Sequence, residues 1–172
     1  MTCSGMKLFF STATDADASV VTALRAAVAA DLTRRYGHGH WSSVATENGV
    51  LRDINTAHVL IARSSERAVG TVRLATSKPW AIDPEYFTPC ASVLYLTDMA
   101  VAPDLQRQGI GRLCLEHAIQ IARGHPANAI RLDAYDGPVG AGQFYAKCGF
   151  REVGRVTYRK TPLIYYELLL GF

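Results

Sequence analysis

Apolar and polar residues alternate along this chain with two periodicities, one typical of strands and one typical of helices. Short runs rich in β-branched and aromatic residues predict strands at residues 6–11, 58–63, 68–75, 93–101 and 129–135, and two more between residues 152 and 170 around Thr161-Pro162. Apolar positions at helical spacing predict helices at residues 15–36, 41–54, 109–124 and 139–148. The predicted order is therefore β, α, α, β, β, β, α, β, α, β, β.

This order contains βαβ crossovers among antiparallel hairpins, one of which is predicted at the polar residues 64–67. It favours an α/β (α+β) fold, with a mixed, mostly antiparallel central sheet of about seven strands and helices on both faces. Residues 76–91 contain three prolines and form a predicted long loop. Neither a repeat nor an interdomain linker interrupts the pattern, so we expect a single domain over residues 1–172.

With 172 residues, of which 49% are hydrophobic and 19% charged, the chain is able to bury a substantial core. The net charge of +3 comes from dispersed lysines and arginines, which argues against nucleic acid as a partner. Neither a signal peptide nor a membrane span is evident, so we expect a cytoplasmic protein with no membrane partner. Four cysteines are far apart and lack a CxxC pair, which predicts free structural thiols: Cys3, Cys90, Cys114 and Cys148.

One segment combines a strand, a turn with glycines and the start of a helix. It reads Met99-Ala-Val-Ala-Pro-Asp-Leu-Gln106-Arg-Gln-Gly109-Ile-Gly111-Arg112. Backbone N–H groups and the positive end of the helix dipole attract an anion there, and the glycines let a pyrophosphate approach closely. The segment lacks the third glycine of a dinucleotide fingerprint and the Gly-Lys-Ser/Thr of a Walker loop. Taken alone, it is also compatible with an ordinary glycine-rich turn.

The same segment resembles the pyrophosphate loop of the GNAT superfamily of N-acetyltransferases, which has the form Gln/Arg-x-x-Gly-x-Gly/Ala between a strand and a helix. Downstream, Phe144-Tyr145-Ala-Lys-Cys-Gly149-Phe150 resembles the FYxKxGF run of that superfamily. The predicted order of elements also resembles the GNAT fold over nearly the whole chain. The resemblance implies an enzyme that binds acetyl-CoA and transfers its acetyl group to an amine by direct attack in a ternary complex.

The resemblance also implies a role for several residues. Backbone groups of Met99, Ala100 and Val101 would bind the pantetheine arm of CoA, on a strand that splays from its neighbour. Gln106 would shape the turn, and the diphosphate would be bound by the segment that follows: Arg107, Gln108, Gly109, Ile110, Gly111 and Arg112. Tyr145 would lie near the thioester sulphur. Many members have an asparagine seven residues before this tyrosine, where this chain has Pro138, so one side-chain contact to CoA is expected to be lost.

The implied reaction needs a base, because a primary amine with a pKa near 10.4 is almost entirely protonated at neutral pH. Asp98 and Asp133 lie on the two strands that border the expected splay and are the candidates. Each carboxylate is equally compatible with a structural hydrogen-bonding role. Backbone N–H groups near Met99 would stabilise the oxyanion, and Tyr145 would act as the acid that helps the sulphur leave. For Tyr145 the alternative is a tyrosine packed in the core.

Other features leave alternatives open. His38 and His40 lack further ligands at suitable spacing, so we expect no metal site. Trp80, Tyr86 and Phe87 either line an acceptor pocket or anchor the long loop. Acidic residues favour a small cationic amine or a protein amine as acceptor, and a homodimer is compatible with such a fold. The main alternative to an enzyme is a non-catalytic CoA-binding or acyl-CoA-binding regulatory or interaction module.

Overall fold

The computed structural model describes residues 2–3 and 5–171, with side chains from residue 5 onward. It divides into two compact units, one formed by Met1–Leu74 with Thr97–Ile119 and the other by Ala75–Leu96 with Gln120–Phe172. The chain passes between the units at the end of the fourth strand, inside the fifth strand and inside the third helix. The last two elements therefore contribute residues to both units.

The described part of the chain contains eight strands and four α-helices. The strands are β1 (Thr2–Cys3), β2 (Met6–Thr12), β3 (His58–Ser64), β4 (Arg67–Ala75), β5 (Val93–Val101), β6 (Ala129–Tyr135), β7 (Arg151–Tyr158) and β8 (Thr161–Leu169). The helices are α1 (Ala18–Tyr36), α2 (Glu47–Thr56), α3 (Ile110–Gly124) and α4 (Gly142–Lys147). The seven predicted strands correspond to β2–β8, and β1 is a short addition. Within residues 2–3 and 5–171, no helix has the length and apolar character needed to cross a membrane.

In the first unit, β1, β2, β3 and β4 are antiparallel neighbours. Successive side chains of a strand point to opposite faces, and on β3 this alternation builds two separate cores. Ile61 packs with Val21 of α1 and Val50 of α2, whereas Ala62 packs with Ile110 of α3. Helices therefore cover both faces of this sheet, as the sequence predicted.

In the second unit, the strand order is β5-β6-β8-β7. The pair β5 and β6 is parallel, with a register from Val93↔Ala129 to Tyr95↔Arg131, and the other two pairs are antiparallel. Because parallel strands need a crossover connection, this pair is the βαβ element expected from the sequence, with α3 in its connection. The prediction of a mixed, mostly antiparallel sheet is confirmed.

The long loop between β4 and β5 is fastened to strands of the second unit. The Tyr165 hydroxyl donates to the carbonyl of Ala81. Arg131 Nη2 donates to the carbonyl of Thr88 at 2.6 Å, and the buried Glu167 carboxylate accepts from the Thr88 hydroxyl at 2.7 Å. Polar side chains of β6 and β8 thus fix both halves of this loop.

Two predicted helix starts are wrong. α2 begins at Glu47 instead of residue 41, because the Thr46 hydroxyl caps it by accepting a backbone N–H of its first turn at 3.1 Å. α4 begins at Gly142 instead of residue 139, because a turn precedes it in which Gly140 donates to the carbonyl of Gly137 at 2.9 Å. Local hydrogen bonds of loop residues decide both starts, and the spacing of apolar residues does not reveal them.

The last hairpin also turns at a different place from the predicted one. Arg159 and Lys160 form the turn, with φ of 47° and 67°, and Thr161-Pro162 already belongs to β8. Positive φ at both central residues gives a backbone twist that matches the flanking strands. Pro162 is the second residue of β8 and pairs with Thr157 in the ladder, so the proline does not mark the turn.

Candidate functional site

The turn before α3 has a backbone conformation that suits anion binding. Gln106 closes its base, because its Nε2 donates to the carbonyl of Val101 at 3.1 Å. Arg107 and Gly109 then adopt left-handed conformations, with φ of 62° and 86°. Glycine is the residue that takes this conformation without steric cost. The helix begins directly afterwards at Ile110, so its first N–H groups have no acceptor within the helix and lie at the positive end of its dipole.

Charged side chains around this turn add to its preference for an anion. Arg107 and Arg112 are both exposed. The flanking carboxylates are each engaged by an arginine, since Asp104 pairs with Arg67 at 2.6 Å and Glu116 pairs with Arg112 at 3.2 Å. Because these negative charges are compensated, the helix end and the Arg107 guanidinium dominate the local potential. Residues 106–112 therefore fit a diphosphate group.

Strand β5 contains the predicted pantetheine segment and one candidate base. Ala100 is buried, and Met99 and Val101 pack against the core cluster that includes residues of α3. Asp98 is exposed and has a φ of 51° in the middle of the strand. A left-handed residue interrupts the regular β conformation and turns the neighbouring groups out of the ladder. The first unit thus brings together Asp98, this segment and the turn at residues 106–112.

In the second unit, Asp133 of β6 and Tyr145 of α4 interact electrostatically. Tyr145 is only 7% exposed, and burial, followed by the negative charge of Asp133, raises the pKa of its phenol well above the ordinary value. Burial likewise raises the pKa of the Asp133 carboxyl. A carboxylate made more basic and a phenol that stays protonated are groups suited to proton transfer and hydrogen-bond donation in catalysis.

Tyr145 belongs to a cluster of aromatic rings. The centroid of its ring lies 5.2 Å from that of Phe144, 5.8 Å from that of Phe150 and 6.3 Å from that of Tyr166. Gly142, the first residue of α4, lies against the Tyr166 hydroxyl and leaves no room there for a Cβ atom. This packing fixes the short helix α4 on β8 and, with it, the position of Tyr145.

A charged cluster that the sequence did not indicate joins α1, α2, β4 and β5 in the first unit. Asp53 accepts a hydrogen bond from Arg25 Nη1 at 2.8 Å and lies 3.2 Å from Arg73 Nε. Arg73 Nη1 donates to the Thr97 hydroxyl at 3.2 Å. These residues are far apart in the chain, so no spacing motif connects them, and only helix packing and strand position bring them together.

The aromatic residues of the long loop differ in their surroundings. Phe87 is buried, and its ring centroid is 5.3 Å from that of Tyr165. Tyr86 meets the same ring edge-on at 5.4 Å. Trp80, by contrast, is 89% exposed. Phe87 and Tyr86 therefore fit the interpretation as loop anchors, whereas Trp80 does not.

The cysteines with described side chains are free thiols, namely Cys90, Cys114 and Cys148. Cys3 lies outside the described side chains. Cys114 is buried, and burial raises the pKa of its thiol to about 12, so it fills space in the core and is unreactive. His38 and His40 are exposed, and among residues 5–171 no group of three or more His, Cys, Asp or Glu side chains is arranged to hold a metal ion.

This turn before a helix is typical of proteins that bind a phosphate-containing ligand, and the comparison with known families makes the class specific. Residues 25–150 match the Acetyltransferase (GNAT) family, over a segment that includes Asp98, the turn at residues 106–112, Asp133 and Tyr145. The chain belongs to the GNAT acetyltransferase family. Acetyl-CoA is the cosubstrate of this family, which confirms the predicted cofactor.

Solved structures share the fold at low sequence identity. The ribosomal-protein-S18-alanine N-acetyltransferase of Escherichia coli is 17% identical, with 96% of each chain covered and a TM-score of 0.73. The PaiA N-acetyltransferase of Thermoplasma acidophilum, solved in complex with coenzyme A, is 15% identical, with 96% of this chain and 100% of that chain covered and a TM-score of 0.73. YncA of Salmonella typhimurium, solved with its cofactor acetyl-CoA, is 16% identical, with 95% and 94% covered and a TM-score of 0.70. These likenesses confirm the predicted fold class.

Proposed function

We propose that this protein transfers an acetyl group from acetyl-CoA to a primary amine, by direct attack of the amine in a ternary complex. The observation that carries the proposal is the turn at residues 106–112. Gln106 closes its base, Gly109 has a left-handed φ of 86°, and a helix begins directly afterwards. Such an arrangement binds phosphate groups, and here it belongs to a chain of the GNAT family.

In this proposal, backbone groups of the first unit bind the cosubstrate. The N–H groups between Arg107 and Arg112 bind the diphosphate, and Met99, Ala100 and Val101 offer backbone groups to the pantetheine arm. Bound acetyl-CoA supplies a thioester whose carbonyl carbon is open to attack by an amine. Backbone N–H groups near Met99 stabilise the negative charge that develops on the carbonyl oxygen. The hydrogen bond from Gln106 to the carbonyl of Val101 helps to hold the turn in this conformation.

A carboxylate takes the proton of the acceptor, because the ammonium form has no lone pair for the attack. We assign this role to Asp133 or Asp98. Burial raises the pKa of Asp133, which makes it a stronger base and brings its titration closer to neutral pH. Asp98 is exposed, and an exposed carboxylate acts through a water molecule or binds a cationic amine.

We assign Tyr145 the stabilisation of the departing sulphur. Its raised pKa keeps the phenol proton in place throughout the pH range of the reaction. A thiol has a pKa of about 8.5, so a phenol with a much higher pKa donates a hydrogen bond to the thiolate and retains its own proton at equilibrium. In this role Tyr145 stabilises the leaving thiolate by a hydrogen bond and keeps its own proton.

Release of free thiol from acetyl-CoA tests the proposed function. The full chain is mixed with acetyl-CoA and a panel of amines, and products are identified by the mass of one added acetyl group. Enzyme-dependent thiol release with at least one amine supports the proposal. Binding of CoA in calorimetry with no release from any amine would instead favour a non-catalytic CoA-binding module. Absence of any binding heat would remove both functions.

The pH dependence of kcat/KM separates the two candidate bases. Asp98→Asn and Asp133→Asn are compared with the wild type, and the variant that lacks the base should lose the acidic limb of the profile. An unchanged profile in one variant assigns that carboxylate a structural role. Unchanged profiles in both variants would exclude the two residues as bases.

We also propose that the enzyme works in the cytoplasm as one domain over residues 1–172. The free thiols of Cys90, Cys114 and Cys148 support a reducing compartment. A homodimer stays a prediction, which sedimentation of the purified chain measures directly.

A further inference from the structure

Two arginines share a single aspartate in the first unit. Arg25 Nη1 lies 2.8 Å from Asp53 Oδ2, and Arg73 Nε lies 3.2 Å from Asp53 Oδ1. The side chains are 9% exposed for Arg25, 16% for Arg73 and 24% for Asp53. Two guanidinium groups against one carboxylate leave an excess positive charge in a poorly solvated place, where an uncompensated charge is costly.

Unpaired donors accompany this excess charge. Within the described part of the chain, Arg25 Nε, Arg25 Nη2 and Arg73 Nε are buried and have no hydrogen-bond partner. The approach of Arg73 Nε to Asp53 is therefore a charge contact without hydrogen-bond geometry. Because the well-formed hydrogen bond of Asp53 goes to Arg25, Arg73 is the arginine whose charge is compensated least.

Arg73 is also fixed beside the strand segment to which the chemistry is assigned. Its Nη1 donates to the Thr97 hydroxyl at 3.2 Å. Thr97 directly precedes Asp98, a candidate base. Met99, the first residue of the predicted pantetheine segment, follows Asp98. Arg73 is more exposed than Arg25. Of the two arginines, Arg73 is therefore the more accessible from solvent, while Arg25 keeps Asp53 occupied.

We propose that Arg73, supported by Arg25, binds a carboxylate of the acceptor, and that the acceptor is a small free amino acid. This inference rests on the proposed function, because it names the molecule whose amine receives the acetyl group. A guanidinium pairs with a carboxylate through parallel hydrogen bonds, which are strongest where water is excluded. The charge of the cluster is opposite to that needed for a purely cationic acceptor. Its low exposure suits a compact carboxylate better than a protein surface.

Matched acceptors test this inference. Thiol release from acetyl-CoA is measured with free L-amino acids, with the carboxamide of each one, and with short peptides that have a free N-terminus and an amidated C-terminus. The wild type should use its best free amino acid about 10- to 100-fold more efficiently, in kcat/KM, than the matching carboxamide, as expected for loss of a charged hydrogen bond. In the presence of CoA, the same amino acid should raise the melting temperature and its carboxamide should not.

Variants of Arg73 test whether this residue causes the preference for the free amino acid over its carboxamide. Arg73→Gln should remove the difference between amino acid and carboxamide by lowering kcat/KM for the amino acid alone, and Arg73→Lys should restore part of it. Arg63→Gln is the matched control, because Arg63 is also a partly buried arginine paired with one aspartate, Asp17. This control should keep the wild-type preference. Retained binding of CoA shows that each variant is folded.

The outcomes separate failure of this inference from failure of the proposed function. Equal or better use of carboxamides or amidated peptides by the wild type overturns the amino-acid acceptor and leaves acetyl transfer standing. An equal loss for both acceptors in Arg73→Gln also overturns it, because the arginine would then have only a structural role. No thiol release with any amine, despite binding of CoA, overturns the proposed function and this inference together.

Discussion

The turn at residues 106–112 and the pair formed by Asp133 and Tyr145 differ in the physical features that support their proposed roles. Residues 107–109 of the turn are exposed, and the donors that the turn offers in the proposal are backbone N–H groups, held by a left-handed glycine and one glutamine side chain. The pair is made of side chains, and burial is the main cause of their raised pKa values. Backbone donors remain in place when most side chains are replaced. A buried side-chain group, by contrast, loses its function when a single atom is removed. Mutations in the two regions should therefore differ in kind and in size.

The largest effect is expected from removing one oxygen atom in the buried region. Tyr145→Phe should lower kcat by about 100-fold, the scale of a catalytic proton-transfer or hydrogen-bonding group, and leave KM for acetyl-CoA almost unchanged. Tyr95→Phe is the matched control, since Tyr95 is also 7% exposed. Steady-state kinetics with the best acceptor measure both. If the two variants have the same kcat, Tyr145 is a core tyrosine.

The next effect concerns the backbone region. Gly109→Ala adds a Cβ to a residue with a φ of 86°, so about 1–2 kcal/mol of strain is expected and the turn should relax. Calorimetry should show about 10-fold weaker binding of acetyl-CoA, the fold-change that corresponds to this energy. Gly124→Ala is the control, because Gly124 ends the same helix and has open space where a Cβ would lie. Unchanged affinity in Gly109→Ala would mean that the left-handed turn does not form the binding surface.

The sequence predicted these two regions for different reasons. The turn was found directly, because glycines followed by a helical repeat indicate a backbone conformation. Tyr145 was predicted through the FYxKxGF resemblance, and the sequence left open whether its side chain is packed in the core, where the structure buries it. β6 is buried along most of its length, so it shows no alternation of apolar and polar residues from which the surroundings of Asp133 could be inferred.

The arginine cluster was not predictable at all. Arg25, Asp53, Arg73 and Thr97 belong to four elements, and each one alone is typical of a solvated surface. Their proximity depends on how α1 and α2 pack on the sheet, which apolar periodicity leaves undetermined. The shifted starts of α2 and α4 have a different, local cause, because a cap and a turn hydrogen bond outweigh the spacing of apolar residues.

A smaller effect tests whether the backbone region needs its side-chain anchor. Gln106→Leu removes the hydrogen bond to the carbonyl of Val101, which is worth about 0.5–1.5 kcal/mol net. Binding of acetyl-CoA should weaken by about 2- to 10-fold, and Gln120→Leu, an exposed change on α3, should have no effect. Unchanged affinity in Gln106→Leu would show that the anchor is dispensable.

The smallest expected effect is on the free energy of unfolding. The direction in which this free energy changes with pH tests whether burial raises the pKa of Asp133. Burial raises the pKa of folded Asp133 above 3.8, the value of the unfolded chain, so the folded state binds the proton more tightly. The free energy of unfolding therefore falls as pH rises from 3.8 through the folded pKa, and the loss is complete above it. Asp133→Asn cannot ionise and should be more stable than the wild type at pH 8.

Melting curves at about pH 4 and pH 8 measure this difference, at about 2–4 °C for each kcal/mol in a chain of this size. The gain of Asp133→Asn should be smaller at the lower pH, because the raised pKa keeps more of the folded Asp133 protonated there. Asp17→Asn should behave in the opposite way, because the Thr14 backbone N–H and then Arg63 lower the pKa of Asp17, whose ionised form stabilises the fold. If Asp133→Asn lost stability at pH 8 as Asp17→Asn does, then the Asp133 carboxylate would be stabilised by its surroundings, and burial would not have prepared it as a base.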